Sequence, residues 1–206
     1  MRTKGISKLV NSIRGRLIII SLLLLTVPLI IVSVFAYNKS VDSLNKLGED
    51  RLKSAVRFTL EIITAFDSGV NKGHLTLEDA QEQVKVAILG QLQPDGTRPI
   101  NRNLHLGENG YINIIDSTGF EVAHPTIEGQ DAYELEDVKG LKMVQEFIKA
   151  GDRGGDFVYY YWGMPDDPNK IEKKIAYIEK YEPWDWYIVA STYLYDYNQP
   201  AKNLFN

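Results

Sequence analysis

Apolar and polar residues follow three different rhythms along this chain. From Leu17 to Asn38 the pattern is unbroken, LIIISLLLLTVPLIIVSVFAYN, 22 residues without a charge between Arg16 and Lys39. As a helix this run spans roughly 33 Å, enough to cross a hydrocarbon core of about 30 Å. Pro28 lies inside it, and membrane helices accept proline more readily than soluble ones do. From Ser40 to about Asp67 the pattern becomes helical. Val41, Leu44, Leu52, Ala55, Ile62 and Phe66 recur at steps near three and four, and Leu47, Phe58 and Ile63 widen the stripe. This predicts a long amphipathic helix continuing from the apolar run, with a near-heptad spacing that permits a dimer seam. Asn71 to His74 breaks it. Thr76, with Asp79 three residues on, reads as the cap of a second helix that buries Ala80, Val84, Ala87 and Ile88. A long polar connection, Gly90 to Gly107, contains the turn signal Pro94-Asp95-Gly96.

After residue 110 the period shortens to two. Tyr111 to Ile115 predicts a strand, Asp116 to Gly119 a turn, and Phe120 to Ala123 a returning strand, together a hairpin. Leu141 to Ala150 predicts a short helix with Leu141, Val144, Phe147 and Ile148 on one side and Gly151 beyond its end. Asp156–Trp162, Lys174–Ile178 and Trp186–Tyr193 predict three further strands, with a turn loop over Met164–Asn169. There is no βαβ rhythm. Two helices followed by an antiparallel sheet of about five strands with one inserted helix is an α+β architecture.

Charge gives the chain a direction. Arg2, Lys4, Lys8, Arg14 and Arg16 precede the apolar run with no acidic residue among them, so the positive-inside bias holds residues 1–16 in the cytoplasm, uses 17–38 as a membrane helix and exports 39–206. Val34-Phe35-Ala36 loosely fits a signal-peptidase site, but a signal core is about 7–15 residues, and the longer run favours an uncleaved anchor. The net charge is −4. Beyond residue 16 there are 18 basic against 27 acidic residues, which disfavours nucleic acid as a partner. No cysteine is present, so disulfides and thiolate metal sites are excluded. His74 and His105 fall in loops without metal-ligand spacing, and no metal or other cofactor is expected.

The candidate chemistry lies in the aromatic strand Phe157-Val158-Tyr159-Tyr160-Tyr161-Trp162. Alternation puts Val158, Tyr160 and Trp162 on one side; further on, Lys174 shares a face with Ala176 and opposes Ile175 and Tyr177. If Lys174 faces Tyr160 and Trp162, a cation meets two hydrogen-bond donors in an apolar cup, suited to a small carboxylate. Trp162 is then expected to be a large buried ring, whose deletion costs about 3–5 kcal/mol of stability as well as binding. From pattern alone these aromatics can equally be plain core, with Lys174 a solvated strand charge. His124, before Pro125 at a strand end, is either a turn histidine bonded to backbone or a ligand donor whose charge near pH 6.5 makes binding pH-sensitive.

An ordered set of short motifs over residues 108–196 resembles the single Cache family of extracellular bacterial sensor domains. The set is Gly110-Tyr111; Asp116 to Gly119; Ala123-His124-Pro125; the helix at 141–150; Tyr160-x-Trp162; Lys174-Ile175-Ala176-Tyr177; Trp184-Asp185-Trp186; and Tyr193-x-x-Asp196. Leu44 to Gly110, including Asp95-Gly96-Thr97-Arg98-Pro99, is similar to the helical half of Cache chemotaxis receptors. The resemblance implies a PAS-like sheet (108–196) packed on a helical part (39–107), with a pocket for small metabolites, often short carboxylates or amino acids. The matching pocket positions are Tyr160, Trp162 and Lys174, with His124 at the edge. Ser191 stands where family members commonly carry glycine, and the charged loop Gly163–Lys173 leaves ligand identity open.

The expectation is therefore the sensing half of a membrane chemoreceptor. It binds a small carboxylate or amino acid, pairs as a homodimer and passes a helix shift across the membrane. The same sensor on a histidine kinase or cyclic-dinucleotide enzyme, or an anchored binding protein without output, are the alternatives. Catalysis is not expected, since no nucleophile–base pair or phosphate loop is present. Arg153-Gly154-Gly155-Asp156-Phe157 only resembles a cyclase signature, and Asn38-Lys39-Ser40 is a sequon in form alone, against the bilayer. Family receptors continue into a second membrane helix near Asn206, so 197–206 is expected to lead there and the cytoplasmic signalling module to be missing from a fragment.

Overall fold

A computed structural model describes residues 12–164, 167 and 169–196. Arg2, Lys4 and Lys8 of the basic tail, and the expected lead-out at 197–206, lie outside the described residues. The chain divides into two compact units, residues 1–43 and 44–206. Both the apolar run and the amphipathic stretch belong to one helix, α1 (Ile13–Asn71), which runs through Pro28 without interruption. In the first unit the apolar side chains are not buried: Leu24, Leu25 and Phe35 are each about 70% exposed. A soluble core helix would hide them; a membrane helix of this length would not.

The second unit is built on a five-stranded antiparallel sheet. Its strands are β1 (Tyr111–Asp116), β2 (Glu121–Ala123), β3 (Asp156–Gly163), β4 (Ile171–Tyr181) and β5 (Trp186–Tyr193), in the order β2-β1-β5-β4-β3. The β1–β2 hairpin forms as expected, and β4 extends three residues beyond the predicted stretch at each end. Two helices complete the unit, α2 (Leu77–Ile88) and α3 (Met143–Asp152). The Thr76 hydroxyl accepts the Asp79 N–H at 3.0 Å and donates to its carboxylate at 2.7 Å, so α2 starts where the capping pattern places it. Helix α3 starts and ends two residues later than predicted, with Gly151 inside it. A side chain there would meet the Tyr187 ring at 2.4 Å, so glycine allows the helix to lie close on the sheet.

Each face of the sheet carries its own core. One face, with Ile112, Ile114, Ile175, Tyr177, Ile188 and Ala190, packs on Leu52, Val56 and Ile63 of α1 and on Val84 and Ile88 of α2. The other, with Val158, Tyr160, Ala176, Ile178 and Val189, packs on Met143, Val144 and Phe147 of α3. The buried stripe of α1 is narrower than its sequence suggests, for Leu47 and Phe58 are about half exposed. The glycine pair in the cyclase-like motif makes the reverse turn into β3, with Gly154 and Gly155 at positive φ and Arg153 paired to Asp156 at 2.9 Å.

Candidate ligand-binding site

Register places the polar residues of the second face. Tyr160 of β3 lies opposite Lys174 of β4, which lies opposite Tyr193 of β5, so the three form a row across the sheet. Tyr111 of β1 completes the group. The Lys174 Nζ lies 4.5, 4.9 and 5.6 Å from the ring centroids of Tyr111, Tyr193 and Tyr160, and donates to the Tyr111 hydroxyl at 3.4 Å. The open alternative for Lys174 is settled by its burial: it is 1% exposed, not a solvated strand charge. Among the described residues no carboxylate lies within ion-pair distance of it. Burial drives its pKa down to about 7, only partly opposed by Asp196, whose carboxylate already accepts the Asn109 N–H and the Thr192 hydroxyl.

These residues form the floor of a cavity of about 680 Å³ between the sheet, α3 and the strap that follows β2. All four sequence candidates, Tyr160, Trp162, Lys174 and His124, line it. Tyr160 is buried, its ring edge-on to Phe147 at 5.5 Å, and burial holds its hydroxyl protonated. Trp162 is only half-buried against the second core, so the expectation that deleting it costs a whole buried ring is corrected. Its main contribution is to the cavity wall.

The geometry of His124 is that of the first reading, a turn histidine bonded to backbone. Its Nδ1 accepts the backbone N–H groups of Thr126 and Ile127 at 3.0 and 3.2 Å, as a turn histidine would. In the neutral ring the proton then sits on Nε2, leaving a donor on a residue that lines the cavity. Burial, aided by Lys174, pushes its pKa down to about 3, so it is not a switch near pH 6.5. The His124 ring nitrogens are expected to keep the shifts of a neutral Nε2–H imidazole across the pH range of the Lys174 titration, checked by nitrogen NMR of the full chain in detergent micelles.

Sequence reasoning did not select Tyr111, Tyr193, Asn113 or Glu121, all of which line the cavity. Asn113 carried a signal: it is the one polar residue inside Tyr-Ile-Asn-Ile-Ile. Glu121 carried none, because regular alternation puts it on the face of Ala123. A bulge in the β1–β2 pairing, where Ile114 faces Ala123 but Ile115 faces Glu121, turns it to the cavity side instead.

The strap is held by a buried cation. Arg98 donates from Nε and Nη2 to the two Glu128 oxygens at 2.7 and 3.0 Å, from Nη1 and Nη2 to the two Glu82 oxygens at 3.0 and 2.9 Å, and from Nη1 to the Gly90 carbonyl at 2.9 Å. Its backbone N–H bonds Pro125 O at 2.9 Å. Burial opposes the guanidinium charge, but Glu128 and Glu82 outweigh it and keep Arg98 firmly protonated. The cavity wall from His124 to Ile127 is thereby tied to α2.

Residues 44–205 match the family model described as Single Cache domain 2. The chain belongs to the Single Cache domain 2 family. Among curated proteins it is similar to the sensor histidine kinase MctS of Rhizobium johnstonii, 23% identical over 196 residues. That alignment covers 90% of this chain and 40% of the relative, so the chain spans well under half of that protein's length. Two solved structures share the fold. One is a Cache chemosensory domain described for its carboxylic acid recognition (TM-score 0.60, 24% identity, 74% of this chain and 97% of that one). The other is a periplasmic sensor domain of a chemotaxis protein (TM-score 0.57, 24% identity, 70% and 93%). The α+β architecture read from the pattern is that of the Cache fold, a long N-terminal helix on a five-stranded antiparallel sheet.

Proposed function

We propose that this Cache domain senses a short carboxylate outside the cell and passes the signal through its N-terminal helix. One observation carries the reading: the buried Lys174 ammonium, ringed by tyrosines, faces a cavity of about 680 Å³ with no described carboxylate within ion-pair distance. An uncompensated buried cation is costly, and an anion entering the cavity relieves that cost. The Tyr160 and Tyr111 hydroxyls, the Trp162 indole and the His124 Nε2–H are hydrogen-bond donors on residues that line the same space. Carboxylic acid recognition by a structural relative supports the same ligand class. Binding rather than catalysis fits His124, whose Nδ1 is already engaged by backbone and is no base.

In this reading residues 17–38 form the membrane span, with residues 1–16 inside the cell and 39–206 outside. Half-exposed Leu47 and Phe58 on α1 support a homodimer packed through that helix. Ligand shifts the equilibrium between two arrangements of the helix pair only by its differential affinity for them. A chemotaxis receptor is the favoured whole protein. A sensor histidine kinase is the second reading, favoured by the similarity to MctS. The test is a thermal-shift screen of the full chain in detergent micelles against carboxylates, amines and neutral analogues at pH 7. A carboxylate at about 100 times its Kd is expected to stabilise the domain by about 2.7 kcal/mol. A response to amines alone, or to no carboxylate, overturns the reading.

A further inference from the structure

The cavity has a second polar pole. Glu121 is 3% exposed and Asn113 5%, and both line the cavity. The Asn113 Nδ2 donates to the two Glu121 oxygens at 3.1 and 3.4 Å, and no other described side chain bonds that carboxyl group. One amide leaves most of the acceptor capacity of a carboxyl group unused. Lys174 lines the same cavity, yet Lys174 and Glu121 are not ion-paired. A cation and an acid that share a cavity without touching call for a molecule that reaches both. The bulge strengthens the case: without it Glu121 would point to the opposite face, that of Ile114 and Ala123, so the chain departs from regular pairing at the residue that brings an acid to the cavity.

Resting on the carboxylate reading above, we propose that the ligand is a short carboxylate bearing a hydrogen-bond donor, a hydroxyl or an ammonium, with its carboxylate at Lys174 and its donor at Glu121. Burial raises the Glu121 pKa to about 8, although the Asn113 bond works the other way. Near pH 7 the group is therefore mainly a neutral acid and does not repel the ligand carboxylate. A hydroxyl donates to its carbonyl oxygen; an ammonium favours the ionised carboxylate, whose proton is released to solvent, and forms a charge-assisted bond with it. An unsubstituted acid leaves this pole unmatched, and sites built to bond a polar group discriminate strongly against analogues that lack it.

The experiment is isothermal titration of the full chain in detergent micelles at pH 7. The probes are propionate and butyrate, lactate and 3-hydroxybutyrate, and alanine and 3-aminobutyrate, the chiral acids as separate enantiomers. At least one substituted acid is expected to bind about tenfold or more tighter than its unsubstituted parent. Glu121→Leu is expected to erase that preference, so that the substituted acid and its parent bind alike. Glu121→Gln keeps an amide oxygen beside Asn113 and distinguishes the two donors: a preference for the hydroxy acid survives it, and a preference for the amino acid does not. Parents that bind as tightly as every substituted partner, or a preference that persists in Glu121→Leu, overturn the proposal while leaving the carboxylate reading standing. Absence of binding by the whole panel overturns both.

Discussion

Lys174→Met is expected to abolish carboxylate binding, lowering affinity by at least about 100-fold, while the domain stays folded. Truncating one partner of a desolvated charge pair costs about 2–5 kcal/mol, and each 1.4 kcal/mol is a factor of ten. Methionine is close to lysine in length and fills the space among Tyr111, Tyr160 and Tyr193 without a charge. The unliganded variant is therefore expected to be at least as stable as the parent at pH 7, because a buried, unpaired ammonium is removed. Titration calorimetry and urea unfolding check the two halves separately. Unchanged affinity would remove Lys174 from the site.

The same lysine sets a pH dependence whose sign can be worked out. Its folded pKa of about 7 lies below its usual 10.5, so between these values the folded state binds fewer protons than the unfolded one. Its contribution to stability therefore improves as pH rises from 7 to 10.5, and Lys174→Met lacks that rise. Binding runs the other way. A ligand carboxylate favours the ammonium, so above pH 7 binding takes up a proton, and affinity is expected to fall by up to about tenfold per pH unit. Glu121, ionising near pH 8, adds repulsion in the same direction. Of the other groups around Lys174, the hydroxyls of Tyr111 and Tyr160 are held protonated by burial, and His124 stays neutral. Tyr193 and Asp196 complete the surroundings, the latter favouring the ammonium.

The second large effect is expected at Arg98. Arg98→Met takes the forked guanidinium from largely buried Glu128, which keeps the longer Lys85 contact at 3.5 Å, and leaves the Gly90 carbonyl without its guanidinium partner. Breaking a buried pair in this way costs about 3–5 kcal/mol, a large share of a domain's stability of about 5–15 kcal/mol. Arg98→Lys is expected to recover little of it, since one ammonium cannot reproduce two forked contacts. The strap from His124 to Glu128 is tied down by this cluster, so carboxylate affinity falls together with stability. Urea unfolding, with calorimetry below the transition, measures both. A variant that unfolds at the parental urea midpoint would show that the strap is held by other contacts.

The elements were legible because their signals are local. The Thr76 cap and the alternation in β1 and β5 each depend on residues a few positions apart, and the hydrophobic period carries them through. The end of α3 was misplaced because its glycine does not terminate the helix. Gly151 serves a contact with Tyr187, far along the chain, which no local rule anticipates. Leu47 and Phe58 fit the stripe of α1 by spacing but lie outside the surface that the sheet covers.

By itself the sequence determined the apolar run, the order of helices and strands, the α+β class and the alternation that puts Lys174 opposite Ile175. Composition also removed thiol chemistry, since there is no cysteine. Only the tertiary structure decided what these residues face. The pairing of β4 with both β3 and β5 sets Lys174 between Tyr160 and Tyr193, and the non-local β1–β5 pairing brings in Tyr111. The bulge turns Glu121 into the cavity, and the backbone N–H groups of the strap fix the His124 tautomer. The physical reason is that period and propensity describe neighbours along the chain. Burial, which moves the pKa of Lys174, Glu121 and His124, depends on what distant segments place around each group.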